Sequence, residues 1–151
     1  MRVEFINPFV TAGNDVLAQL VGGRIEREQL AVRSVIFTTQ QVSITIGVSG
    51  AIKGQVIYGM SQSTAVKITA AMTGSPQIAF DEMAVSAISE LGNIISGNAT
   101  ALLAEAGFVC DITPPAVIRG MQVQIATSTP ALVVPLSTAC GKVEINVALA
   151  E

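Results

Sequence analysis

The sequence predicts an α+β fold over residues 1–151: an antiparallel sheet of about six strands with helices packed on one face. Three observations predict it. Strand patterns come in runs of three instead of alternating singly with helices, as a parallel sheet would require. The longest segment of helical period, Asp81 to about Ala106, separates the two runs. Half of the 151 residues are apolar and 13% are charged, which supplies one core and excludes a disordered chain. With five Phe, one Tyr and no Trp, that core must be mostly Ile, Val, Leu and Ala.

The elements follow in order. Asn7 reads as an N-cap and Pro8 as the first helical residue. Phe9, Val16, Leu17 and Leu20 recur at helical spacing, and Gly22-Gly23 end the helix. Arg24, Glu26, Arg27 and Glu28 mix charges of both signs, which reads as a solvated turn or edge. Three strands are predicted next: Ala31 to Thr38, Val42 to Ser49 and Gly54 to Gly59. In the second, Val42, Ile44, Ile46 and Val48 alternate with small or polar residues. Ser61 or Ser63 caps a short helix that Gly74 and Pro76 stop. Asp81 caps the long helix, and Gly107 closes it. An extended segment with Pro114 and Pro115 leads to strands at about Val117–Ala126, Ala131–Leu136 and Lys142–Leu149. Thr138-Ala139-Cys140-Gly141 joins the last two as a hairpin. Helix then three strands, with a helix between, then helix and three strands, is a weak internal repeat of element type.

Composition excludes several kinds of chemistry. The chain has no histidine, so it holds no Ser-His-Asp triad, Cys-His pair or imidazole base. The common His-containing zinc sites are excluded with them. Net charge is −3 and no basic patch stands out, which argues against nucleic acid. Cys110 and Cys140 are too few for a disulfide framework and read as thiols of a reducing cytoplasm. No signal-peptide pattern opens the chain, and no apolar run has the length of a membrane span. Gly47-Val48-Ser49-Gly50 is no nucleophile elbow, and Ser49 reads as a strand end. Asp111 and Glu144 read as solvent-facing acids, and Lys67 as an exposed lysine of the short helix.

The long helix is the informative segment. Met83 to Ala104 contains one charged residue, Glu90, and no Lys or Arg. A solvated helix face usually carries charges of both signs. Asn93 lies three residues on, so the two side chains share a face. At about 100° per residue, Ser86, Gly97, Ala101 and Ala104 fall within about 40° of Glu90. The apolar positions Ala84, Ala87, Ile88, Leu91, Ile94, Ile95, Leu102 and Leu103 lie elsewhere around the helix. Opposite the core there is thus a track of small residues bearing one carboxylate and one carboxamide. Gly92, Asn93, Gly97 and Asn98 are poor helix formers, so a sequence that needed only a helix would not choose them. Polar residues at the outside of a helix are also what an inert surface shows, and E-x-x-N alone is a weak motif.

The surrounding residues are more specific. Ile88-Ser89-Glu90-Leu91-Gly92-Asn93-Ile94-Ile95-Ser96-Gly97-Asn98-Ala99 resembles the signature helix of the CheC/CheX/FliY family of bacterial chemotaxis phosphatases. Ile6-Asn7-Pro8-Phe9-Val10, and Gly54-Gln55-Val56-Ile57-Tyr58-Gly59-Met60-Ser61 through Thr73-Gly74, are similar to the single-motif branch of that family. The resemblance covers nearly the whole chain, and the first helix, Pro8 to Leu20, carries no E-x-x-N.

The resemblance implies a CheC-like fold and an activity: hydrolysis of the aspartyl phosphate of a CheY-type response regulator. It maps the catalytic pair onto Glu90 and Asn93. It implies no cofactor of the chain's own, since Mg²⁺ and a lysine belong to the regulator. An amide that holds a water in line with phosphorus has no need to titrate, which suits a chain without histidine. Glu90 would pair with the regulator's lysine. The implied partners are a phosphorylated receiver domain and a second copy of the chain, joined through sheet edges in the cytoplasm. A receiver-binding module without hydrolysis, and a structural subunit like the flagellar-switch relatives, are the competing readings.

Overall fold

In the computed structural model, which describes residues 2–151, the elements run in order along the chain. They are α1 (Val3–Val21), β1 (Glu26–Arg27), β2 (Ala31–Arg33), β3 (Ile36–Thr38), β4 (Val42–Gly50) and β5 (Lys53–Met60), followed by α2 (Gln62–Thr73) and α3 (Glu82–Glu105). The second run of strands is β6 (Cys110–Ile112), β7 (Ala116–Arg119), β8 (Gln124–Ala126), β9 (Ala131–Thr138) and β10 (Gly141–Ala150).

Two hairpins, β4–β5 and β9–β10, meet at the middle of an antiparallel sheet where β5 pairs with β10, Tyr58 facing Ile145. The sheet path is β1-β9-β10-β5-β4-β6, with β2 also on β9 and β7 also on β4. Each half therefore sends its short strands to the other half's hairpin: β1 and β2 flank β9, while β6 and β7 flank β4. β3 and β8 pair with each other as a separate ribbon. The repeat of element type is thus a pseudo-twofold exchange of strands, and the antiparallel α+β architecture is the one expected.

Alternation in β4 buries Val42, Ile44, Ile46 and Val48 under the helices. Phe9 and Leu17 of α1, Ile68 of α2, and Ile88, Leu91 and Ile95 of α3 close over them with almost no exposure. On the other face, the β3–β8 ribbon lays Phe37 against Ile57, Ala131 and Ala148.

Several expected boundaries move. α1 begins at Val3, with Arg2 as its cap, so Asn7 caps nothing and Pro8 lies inside the helix. Phe5 and Ile6 are both buried. Phe5 meets Phe108 edge to face at 5.2 Å, and the Arg2 guanidinium lies over both rings. Burying each of those side chains contributes about 1.5–3 kcal/mol, enough to offset the roughly 3 kcal/mol cost of an interior proline. The segment Ala31–Thr38 is two strands, because the chain leaves the main sheet at Ser34-Val35 to carry Phe37 to the far face. Val117–Ala126 is likewise broken, at Gly120 (φ 148°) and Gln122 (φ 59°). β6, beside the two prolines, was unforeseen; three residues are too few to show a period. The helix starts at Ser61 and Asp81 hold: each cap side chain accepts the backbone N–H three residues on.

Candidate active site

The expected face of α3 is the solvent face. Ser86, Glu90, Asn93, Gly97, Ala101 and Ala104 are exposed, whereas Ala84, Ile88, Leu91, Gly92, Ile95, Ser96, Ala99 and Leu103 are buried. Among the described residues Glu90 takes part in no ion pair. The side-chain hydrogen bonds of α3 and its cap are made at Asp81, Ser96 and Thr100, which leaves both members of the pair free for a partner.

Two contacts beneath the helix set its height and rotation. A Cβ on Gly92 would lie 2.7 Å from Ile44 Cγ2, so α3 approaches β4 as closely as it does only because Gly92 has no side chain. One turn on, the Ser96 Oγ and the Tyr58 hydroxyl are 2.7 Å apart with both residues fully buried. Burial pushes the Tyr58 hydroxyl well above the ordinary phenol pKa, so the folded state favours the neutral phenol that shares this bond. Glu90, Gly92, Asn93 and Ser96 therefore work as one segment: the buried members hold the exposed ones in direction.

This geometry divides the helix breakers that the sequence grouped together. Gly92 is explained by packing. Gly97 is not, for a Cβ there would meet nothing within 4 Å. An exposed mid-helix glycine costs about 0.5–1 kcal/mol relative to alanine, and nothing in this chain uses its smallness. α1 carries a related feature that the sequence reading missed. Gly13-Asn14 repeats the Gly92-Asn93 pair, and a Cβ on Gly13 would be 2.6 Å from Ile145 Cδ1. Thr11 stands where α3 has Glu90, so the acid is absent and the motif is complete once.

The other residues singled out in sequence lie away from this face. Glu144 is not solvent-facing: it is half-buried on the back of the sheet, 2.6 Å from Arg33 Nη2, in a network where Arg33 also donates to Asn146. Asp111 and Lys67 are exposed as expected, and Ser49 lies at the end of β4 as expected. Cys110 and Cys140 are free and partly buried, and burial raises the Cys140 thiol pKa while nearby Lys67 opposes the rise. Among the described residues no three His, Cys, Asp or Glu side chains come together as a metal site. Glu90 and Asn93 line none of the clefts formed by Arg33, Gln62, Arg119 or Leu132 and their neighbours; they stand exposed on the outer face of α3.

Comparison with known proteins places these features in a context. The family model of the chemotaxis phosphatase CheX matches residues 42–137. The CheY-P phosphatase CheX of Thermotoga maritima is 31% identical over 138 residues, covering 91% of this chain and 89% of that protein. The crystal structure of the chemotaxis protein CheX from Desulfovibrio desulfuricans has a TM-score of 0.86 at 28% identity, over 97% of this chain and 99% of that one. In the CheX–CheY–BeF3–Mg²⁺ complex from Borrelia burgdorferi, the matching chain has a TM-score of 0.79 at 31% identity, over 99% of this chain and 100% of that one.

Proposed function

This chain belongs to the chemotaxis phosphatase CheX family, and from that premise we propose that it hydrolyses the aspartyl phosphate of a CheY-type response regulator. The observation that carries this reading is the unpaired, outward Glu90 and Asn93 on a helix whose other charges, Glu82 and Glu105, stand only at its two ends. The Borrelia complex supports it, since beryllofluoride with Mg²⁺ stands in for a phosphoryl group on that CheY.

Phosphoryl transfer is governed by positioning and electrostatics more than by covalent help. The Asn93 carboxamide both donates and accepts, so it orients a water toward phosphorus without changing its own protonation. The water oxygen bonds to phosphorus and the bond from phosphorus to the acyl oxygen breaks. The regulator's carboxylate and inorganic phosphate result, the water's proton leaving with the phosphate. Glu90 pairs with the regulator's lysine and fixes the docked register. The Mg²⁺ comes with the regulator, and no residue of this chain is assigned to it.

Residues 1–151 act in this reading as one CheX/CheC-like domain in the cytoplasm. No helix among the described residues is long and apolar enough to cross a membrane. The domain pairs with a second copy through the β2 edge. There Val32 is 73% and Leu30 42% exposed, and the two border apolar clefts whose walls also include exposed Val3, half-buried Leu132 and the edge of buried Ile6. That arrangement leaves α3 free on each subunit and covers a sheet edge guarded only by short strands.

Incubation with an acyl-phosphorylated receiver domain tests the activity. Phosphate release faster than the receiver's own decay is expected. Tight binding with no acceleration would make the chain a docking module instead.

A further inference from the structure

We propose that the N-terminal end of α3 is an apolar anchor for the receiver domain, formed by Ile78, Met83 and Met121. The proposal rests on the reading of Glu90 and Asn93 given above and names the part of the partner's footprint that those two residues do not supply. Nine large apolar side chains are strongly exposed among the described residues. Five of them, Val3, Leu30, Val32, Val35 and Ile36, belong to the start of α1 and the β2–β3 region, and Val109 follows α3. The other three are Ile78 at 97%, Met83 at 57% and Met121 at 81% exposure.

Ile78 and Met121 share a neighbour, Gln62, and Met83 follows in chain from the Phe80 that Arg119 holds. Ile78 lines a groove with Gln62 and Val66 of α2, and Met121 lines the next groove with the same Gln62 and with Arg119. Arg119 donates to the Phe80 carbonyl at 3.1 Å, and its guanidinium lies 5.0 Å from the Phe80 ring centre. Phe80 directly precedes the Asp81 cap, and Met83 is in the first turn that follows. Met83 is seven residues before Glu90, which is two turns: about 10.5 Å along the axis and about 20° in rotation. Met83 and Glu90 therefore point the same way, and a body seated on Glu90 and Asn93 extends over Met83.

The footprint needs such an anchor. Ser86, Gly97, Ala101 and Ala104 offer close approach but little apolar area, and binding energy at interfaces concentrates in a few large side chains. Methionine suits the role because its flexible thioether adapts to the facing surface. The anchor touches the partner equally before and during phosphorus–oxygen cleavage, so it contributes to KM and leaves kcat alone.

The test uses Ile78→Ser, Met83→Ser and Met121→Ser, with Val109→Ser as a control on an exposed residue past the other end of α3. Steady-state phosphate release is measured on a phosphorylated CheY-type receiver domain. Affinity is measured separately on the same receiver carrying Mg²⁺ and beryllofluoride. Ile78→Ser, Met83→Ser and Met121→Ser are each expected to raise KM and weaken affinity about tenfold, with kcat unchanged. Val109→Ser should match wild type. An active wild type whose KM and affinity survive all three anchor substitutions overturns this proposal and leaves the Glu90/Asn93 reading standing. A wild type that neither binds nor hydrolyses overturns both. Loss of self-association in the anchor variants, with KM intact, would assign the patch to a second copy and so overturn it too.

Discussion

The hydroxyl of Tyr58, on the central strand β5, meets the Oγ of Ser96, on α3, at 2.7 Å inside the core. This bond ties the middle of the sheet to the helix that presents Glu90 and Asn93. Ser96→Ala leaves the Tyr58 hydroxyl buried without a partner, at a cost of about 1–3 kcal/mol in urea unfolding.

The same pair sets an alkaline limit. Burial raises the Tyr58 pKa above its unfolded value, so folding favours the neutral phenol. That stability is complete below the unfolded value of about 10 and is lost progressively as pH rises above it. Tyr58 is the sole tyrosine and there is no tryptophan, so phenolate absorbance reports it alone. Phenolate should appear together with unfolding in wild type, and Tyr58→Phe should remove this part of the pH dependence. Phenolate formation near pH 10 in a folded protein would contradict the burial argument.

Gly92 and Gly97 should respond to alanine in opposite ways. Gly92→Ala drives a methyl into Ile44 and should destabilise by about 1–3 kcal/mol, with loss of activity as α3 lifts or turns. Gly97→Ala meets open space and should stabilise the helix by about 0.5–1 kcal/mol. The same methyl stands on the face proposed to meet the receiver and should raise KM. Melting curves and KM for the two variants check both halves.

Much of this was legible in the sequence. The small-residue stripe of α3 and the β4 alternation follow from local periodicity, which burial here obeys, and the Ser61 and Asp81 caps from local turn chemistry, though Asn7 does not cap α1. What was not legible depended on distant partners. The helix start at Val3 is decided by Phe108, far along the chain. Glu144 looked solvated until the fold brought Arg33 to it. Gly92 and Gly97 look alike in sequence and are separated only by whether Ile44 lies beneath.

In the proposed reading Glu90 acts at docking through its charge. Glu90→Lys should weaken binding of the receiver carrying Mg²⁺ and beryllofluoride and slow turnover, because it sets a cation against the regulator's lysine. Wild-type affinity should fall with added salt, and Glu90→Gln should flatten that dependence. An affinity indifferent to both salt and Glu90→Lys would mean that Glu90 meets no cation.

The β2 edge should govern assembly. Sedimentation at micromolar concentration should show wild type at about twice 15.6 kDa and Val32→Asp near 15.6 kDa, with activity per subunit retained. A wild-type monomer would remove the dimer and leave the active face unaffected.

Phosphate release from the phosphorylated receiver by Asn93→Ala tests the central claim most directly. The side chain is exposed, so the fold should be intact by circular dichroism, and affinity for the receiver carrying Mg²⁺ and beryllofluoride should be close to wild type. Without the amide to hold the water, the catalysed rate should fall by a factor on the order of 10². A folded Asn93→Ala that hydrolyses at the wild-type rate would contradict the account.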